Sequence, residues 1–219
     1  FIEQKDSIEL TAATFSDPDY WELDLQETMC TFDGKLYFAN PGYIGWELLS
    51  LSQVTFFNKR LVEQGGYSAE QLYQWCINGE WTWDKYRALC EATTDPSAGI
   101  WGSLRGQVGG ILYALVPSND GEIVTKKEVD GKMYDVLGLT EEKAQKAYEF
   151  YADLASNGYL DTSIATQQEG AVFATGQYAT MVTYLNRTEL LGGMEDDYGI
   201  LLPPKGPDAK DYVSDLNWC

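Results

Sequence analysis

The sequence contains no histidine, and its 15 lysines and arginines face 34 aspartates and glutamates, for a formal charge of -19. Without an imidazole there is no histidine general base, no histidine metal ligand and no Ser-His-Asp triad. So few cations cannot build the basic face that neutralises phosphates, which excludes nucleic acid as a partner. The excess of carboxylates reads as a solvated surface that keeps a protein from associating. Cysteine is scarce too: Cys30, Cys76, Cys90 and Cys219 are too scattered for a disulfide scaffold, and no C-x-x-C pair suggests zinc or redox chemistry. Cys76 and Cys90 flank a tryptophan-rich segment and either bridge or pack as two small apolar thiols. No apolar run reaches the roughly 18 residues of a membrane span. Neither a Gly-x-Ser-x-Gly nucleophile elbow nor a phosphate loop occurs. No signal peptide is visible. The opening "FIEQKDSIEL" and the closing "VSDLNWC" read as the interior of a longer protein, so an excised fragment is expected and the ends carry no information about location.

What is present is material for a core. The chain has 219 residues, 44% of them apolar, enough for one large domain or two small ones. Up to about Pro41 it is aromatic, acidic and weakly periodic, with a turn expected at Asp33-Gly34 before the strand "KLYFA". Beyond Gly45, strands and helices alternate, which predicts an α/β fold. Val54-Thr55-Phe56-Phe57 suits an interior strand. Asn58 can cap the helix behind it, and Gly65-Gly66 can close that helix in the left-handed conformation. Ser68 and Thr82 are expected to cap "AEQLYQWC" and "WDKYRALCEA". "GIWGSL" reads as a strand and "QVGGILYALV" as an apolar helix ended by Pro117, followed by a turn at Asn119-Asp120-Gly121. "EIVTKKEV" and "KMYDVL" form a hairpin across Asp130-Gly131. Behind Thr140, "EEKAQKAYEFYADLAS" is the clearest helix, with Ala144, Ala147, Tyr148, Tyr151, Leu154 and Ala155 on one stripe and Gly158 at its end. "EGAVFATG" reads as a short helix, "YATMVTY" as a strand, Asn186 as the cap of "NRTEL", and "YGILL" as a last buried strand.

Five of these segments, in order, resemble one family. They are "FFNKRLVEQGG", "WTWDKYRALCEATT", the hairpin and long helix from Asp120 to Tyr159, "AVFATGQYATM" and "YGILLPPKGPDAKDYV". The family is the extracellular solute-binding proteins of bacterial ABC transporters, in particular the carbohydrate-binding group that includes the maltose-binding protein. The resemblance implies a periplasmic-binding-protein-like lobe, a mixed sheet flanked by helices, within an incomplete two-lobe fold. Residues 1–45 would be a remnant of the first lobe and the interlobe crossing, 46–200 the second lobe, and 201–219 a truncated crossing back. It departs from the family pattern at "GYSAEQLYQWCINGE", which is longer than the usual link, and at Thr180 between Ala179 and Met181.

The function implied is capture of a sugar or oligosaccharide and its delivery to an ABC import permease, outside the cell or in the periplasm, with room for a lipid anchor, no cofactor and no metal. Sugar recognition needs flat apolar faces for C–H surfaces and planar polar groups for hydroxyls. Among seven Trp, fifteen Tyr and eight Phe, three clusters stand where open α/β sheets bind ligands. One is Trp46, Glu47, Ser52 and Gln53 on the approach to the second lobe. The next is Arg105, Gln107 and Tyr113, with Trp101 nearby. The last is Tyr184, Asn186 and Arg187 beyond "YATMVT", where the maltose-binding protein has an aromatic stacking residue. Each has a structural reading beside it: Trp46 as hinge packing, Tyr113 as helix core, Asn186 as a cap. A glycosidase needs only two facing carboxylates, and a carbohydrate-active enzyme or a lectin-like domain stays open as the alternative.

Overall fold

The stretch Val54 to Phe57 extends by one residue at each end into β3 (Gln53–Asn58), every residue of which is buried. The computed structural model describes residues 31–32, 35–36, 52–105, 110–164 and 168–214. The chain divides into two units, Phe1–Leu51 with Leu216–Cys219, and Ser52–Asp215. In the first unit β1 (Thr31–Phe32) and β2 (Lys35–Leu36) pair antiparallel around Asp33-Gly34, where the sequence places a turn.

In the second unit β3 leads into α1 (Lys59–Gln64), capped by Asn58, whose Oδ1 accepts from Leu61 N at 3.2 Å. Gly66, at φ +85°, turns the chain where other residues would be strained. Ser68 caps α2 (Ala69–Ile77) through Gln71 N at 3.1 Å. Thr82 differs from expectation before α3 (Trp83–Thr93): it makes no side-chain cap. Its backbone pairs in parallel with Lys205 instead, and Trp83 N donates to Lys205 O at 3.0 Å. A distant strand-like segment thus satisfies the first of the N–H groups that have no partner within the helix. Then come β4 (Trp101–Leu104) and α4 (Gly110–Ser118), with Pro117 inside the last turn rather than after it. The hairpin β5 (Val124–Val129) and β6 (Lys132–Leu137) turns through Asp130 and Gly131 at φ 52° and 74°, the twist that two-residue loops favour.

A 3₁₀ turn, Gly138–Thr140, separates the hairpin from α5 (Glu142–Ser156), so Glu141 rather than Thr140 stands at the start of the helix. Ala144, Ala147 and Leu154 of its stripe are buried, while Tyr148, Tyr151 and Ala155 are half-buried. After β7 (Leu160–Asp161) and α6 (Glu169–Phe173), β8 (Tyr178–Tyr184) runs fully buried into a 3₁₀ helix, Leu185–Leu190, and then β9 (Tyr198–Leu201).

Five strands form one sheet in the order β7-β4-β8-β3-β9. β4 is parallel to β7 and β8, whereas β3 is antiparallel to β8 and β9. The sequence reads "YGILL" as a buried strand, and β9 buries only alternate residues because it stands at the edge of the sheet. One face of the sheet packs Phe57 and Val182 with α2 to α5 through Leu72, Trp81, Tyr86, Leu89, Leu115 and Leu154. There Trp83 stacks on Phe150 at 4.8 Å and 8°, a geometry worth about 0.5–1.5 kcal/mol beyond area burial. The other face gathers Val54, Phe56, Leu104, Met181 and Phe173 under α6. Thr180 inserts a hydroxyl among apolar residues, where it donates to Gly102 O at 2.8 Å beside Tyr86 Oη and Ser103 Oγ. No helix among the described residues is long and apolar enough to cross a membrane.

Cys76 and Cys90 are free, the first half-buried and the second fully buried. Burial pushes the Cys90 thiol up to about 12, against the opposing hydrogen bonds of Thr180 and Tyr86. Thiolate is the reactive form. In the folded protein at pH 8, iodoacetamide should therefore modify Cys76 and leave Cys90 intact, and mass mapping after a short pulse reads both. Equal labelling at the two positions would contradict the packing of α3 on β4.

Candidate functional site

Because β4, β7 and β8 run in one direction, with β9 parallel to β8 through β3, their carboxyl ends share one rim of the sheet. The start of antiparallel β3 lies on that rim as well, Gln53 opposite Tyr184. The rim thus collects Asp161 to Ile164 after β7, Arg105 after β4, Tyr184 to Arg187 after β8, and Ser52 and Gln53 before β3.

The backbone there is tied down. Leu185 N donates to Ser52 O at 2.9 Å, and Ser214 Oγ to Gln53 O at 2.7 Å. Arg105 N donates to Asp161 O at 3.1 Å, and its Nη2 to Ile164 O at 3.0 Å. Burial would raise the Asp161 carboxyl, but the hydroxyl and N–H of Ser163, the Tyr178 hydroxyl and the nearby Arg105 charge outweigh it and hold Asp161 below the usual range. Asp161 is therefore an ionised acceptor at neutral pH and not a proton donor. Arg187 Nε donates to Glu169 Oε1 at 2.8 Å, with the Glu169 side chain fully buried and that of Arg187 21% exposed.

Side chains on this rim carry buried polar atoms with no partner: Gln53 Nε2 and Oε1, Arg105 Nε, Thr183 Oγ1, Asn186 Oδ1 and Glu169 Oε2. Among the described residues no such atom occurs elsewhere. Native interiors pair the large majority of buried polar groups, and an unpaired one costs about 1–3 kcal/mol. The unpaired atoms coincide with the rim where open α/β sheets place ligands, so the rim is the candidate site. It is equipped to hydrogen-bond a polar molecule.

Of the residues picked out from sequence, Ser52, Gln53, Arg105, Tyr184, Asn186 and Arg187 come together here. Tyr184 is only 6% exposed, so little of its ring faces outward. Asn186 does not cap a helix: it sits inside the 3₁₀ turn that Tyr184 precedes, with its Oδ1 unpaired. Trp101 is at the opposite end of β4, half-buried against the Phe173 cluster, with Trp101 N bonded to Gln177 O. Tyr113 lines a different, small cavity with Val116, Ile123, Leu139 and Tyr148. Trp46, Glu47 and Gln107 lie outside the described residues. Sequence reasoning missed Glu169, Thr183 and Asp161. Glu169 looks like an acidic residue in a helix's first turn, where the helix dipole favours it, and nothing local announces its pairing with Arg187.

No family model matches the chain, and no curated protein matches it in sequence. Solved structures do match. The ABC substrate-binding protein Lmo0181 from Listeria monocytogenes, in complex with cycloalternan, aligns at 16% identity and TM-score 0.64, over 94% of this chain and 48% of that one. UgpB from Mycobacterium tuberculosis, in complex with glycerophosphocholine, aligns at 18% identity and TM-score 0.61, over 89% of this chain and 44% of that one. The chain thus spans about half the length of each, and it shares their fold: a mixed sheet flanked by helices, as expected from the sequence.

Proposed function

We propose that this chain is one ligand-holding lobe of a solute-binding protein that captures a sugar or oligosaccharide and delivers it to an ABC import permease. The observation that carries the reading is the set of unpaired buried polar atoms, gathered at the rim where such folds hold ligands. Both solved neighbours are binding proteins of this fold, one in complex with an oligosaccharide, which supports capture over catalysis. In this reading residues 46–200 form the second lobe, 1–45 are a remnant of the first lobe with an interlobe crossing, 201–219 are a truncated crossing back toward the first lobe, and the complementary half-site comes from the rest of a longer polypeptide. The ligand contacts proposed are Ser52, Gln53, Arg105, Asn186 and Arg187, with Tyr184 as their apolar neighbour and Trp46, Glu47 and Gln107 as further candidates. Lobe closure over the ligand would stabilise the conformation that a permease accepts. The protein would work outside the cytoplasm, extracellular or periplasmic, and a lipid anchor fits that place.

Calorimetry of the full-length polypeptide against a panel of neutral oligosaccharides, with a reducing-end assay on the same mixtures, tests this. The expected outcome is saturable binding with no release of new reducing ends. Sustained release, abolished by one carboxylate substitution, would transfer the protein to the glycosidases.

A further inference from the structure

The rim's described charges balance in number, two guanidinium groups against two carboxylates, and one couple of them is an ion pair. Its two described cations are Arg105 and Arg187. The first stands beside ionised Asp161, and the second donates to Glu169 at 2.8 Å. The Glu169 carboxylate is fully buried and keeps Oε2 free of any partner, while the Arg187 side chain retains 21% exposure and can be reached from solvent. Thr183 and Gln53, both fully buried, add unpaired atoms that accept hydrogen bonds.

Resting on the solute-capture reading, we propose that Glu169 sets the charge class of the solute. Its carboxylate cancels the Arg187 guanidinium, so the rim presents hydrogen-bonding groups with no surplus positive charge. A hydroxyl both donates and accepts without carrying charge, and it meets this surface at no electrostatic cost. A phosphate group at neutral pH is almost wholly an acceptor with close to two negative charges; it finds the described guanidinium groups already offset in number by carboxylates and meets the Glu169 charge behind Arg187. Placing a like charge where a wrong partner would sit is how charged surfaces suppress that partner. The site therefore takes a neutral polyhydroxylated solute and refuses an anionic one.

The substitution Glu169→Gln tests the assignment, because the amide keeps an oxygen for Arg187 Nε while removing the charge and putting an NH2 donor in place of the unpaired Oε2. The full-length polypeptide and its Glu169→Gln variant would be titrated with a neutral gluco-oligosaccharide mixture, with inorganic phosphate and with glycerol 3-phosphate. The wild type should bind the neutral mixture alone. The variant should take glycerol 3-phosphate at least about tenfold more tightly than the wild type does, as a released guanidinium gains a charge-assisted bond. A folded variant with unchanged affinity for anions would overturn the proposal. So would a wild type that prefers the phosphate ester, although solute capture would then still stand. Wild-type protein that binds none of the three, or that hydrolyses the oligosaccharides, would remove both readings. Should the variant fail to fold, the salt dependence of wild-type binding decides: affinity constant between about 20 and about 500 mM salt marks a neutral solute, whereas a steep fall marks an ionic one.

Discussion

Alanine at Gly102 is expected to cost the protein more than about 3 kcal/mol, at or beyond the upper end of ordinary overpacking. Gly102 sits in β4 directly beneath α3. An added Cβ would lie 2.3 Å from Cys90 O and 2.5 Å from Cys90 Cα. Those are backbone atoms, and no rotamer change can relieve the overlap. Moving α3 outward would also strain the bonds that fix this contact, Gly102 N to Thr94 Oγ1 at 3.0 Å and Thr180 Oγ1 to Gly102 O at 2.8 Å. It would open the layer that holds Trp83, Tyr86 and Leu89. Urea unfolding followed by tryptophan fluorescence measures the loss. A variant within about 0.5 kcal/mol of wild type, the range of an indifferent surface change, would show that α3 does not rest on β4 as described.

Arg187→Ala carries the next largest expected effect, and it separates two roles for one residue. As a ligand contact alone, Arg187 could be truncated without harm to the empty protein. In the structure it is the partner of a carboxylate with no exposed surface, and removing one member of a buried pair costs about 3–5 kcal/mol. For a domain of this size that corresponds to a fall in Tm of roughly 6–20 °C. The double variant Glu169→Gln with Arg187→Ala should recover much of the loss, since no charge is then left without a partner. Scanning calorimetry of the three variants gives the answer. An unchanged Tm for Arg187→Ala would return the residue to the role of a pure ligand contact.

How far the sequence carried this reading depends on the range of the interactions involved. The hairpin across Asp130-Gly131, the cap at Asn58 and the helix ending at Gly158 are decided by residues within a turn of one another, and each is where the sequence places it. Thr82 escaped because its partner, Lys205, lies far along the chain. The apolar composition of "YGILL" reads as a buried strand, yet composition does not say whether a second neighbour exists. Trp101 and Arg105 looked like one cluster because they are close in number, but the strand between them sends them to opposite ends of the sheet. Phe150 stands beside the apolar stripe of α5 in the sequence, and only its packing partner, Trp83 of α3, gives it a role. At the site, polar residue types at strand ends pointed to Gln53, Arg105 and Asn186, while Glu169 needed coordinates, because its meaning lies in a bond to a residue two elements away.

The sheet order also bears on time. Phe56 faces Met181 on one side and Ile200 on the other, so β3, an interior strand of the sheet, is synthesised long before either of its neighbours. The gap from Phe56 to Met181 is 125 residues, which at ribosomal rates of roughly 5–20 residues per second is about 6–25 s. Through that interval a β-forming segment whose every residue is buried in the folded protein has emerged with neither of these ladders formed, because β8 and β9 come later in the chain. Both ladders of β3 therefore close only once Leu201 has been made, which ties folding of the sheet to a late stage of synthesis far more than the local order of its helices would suggest.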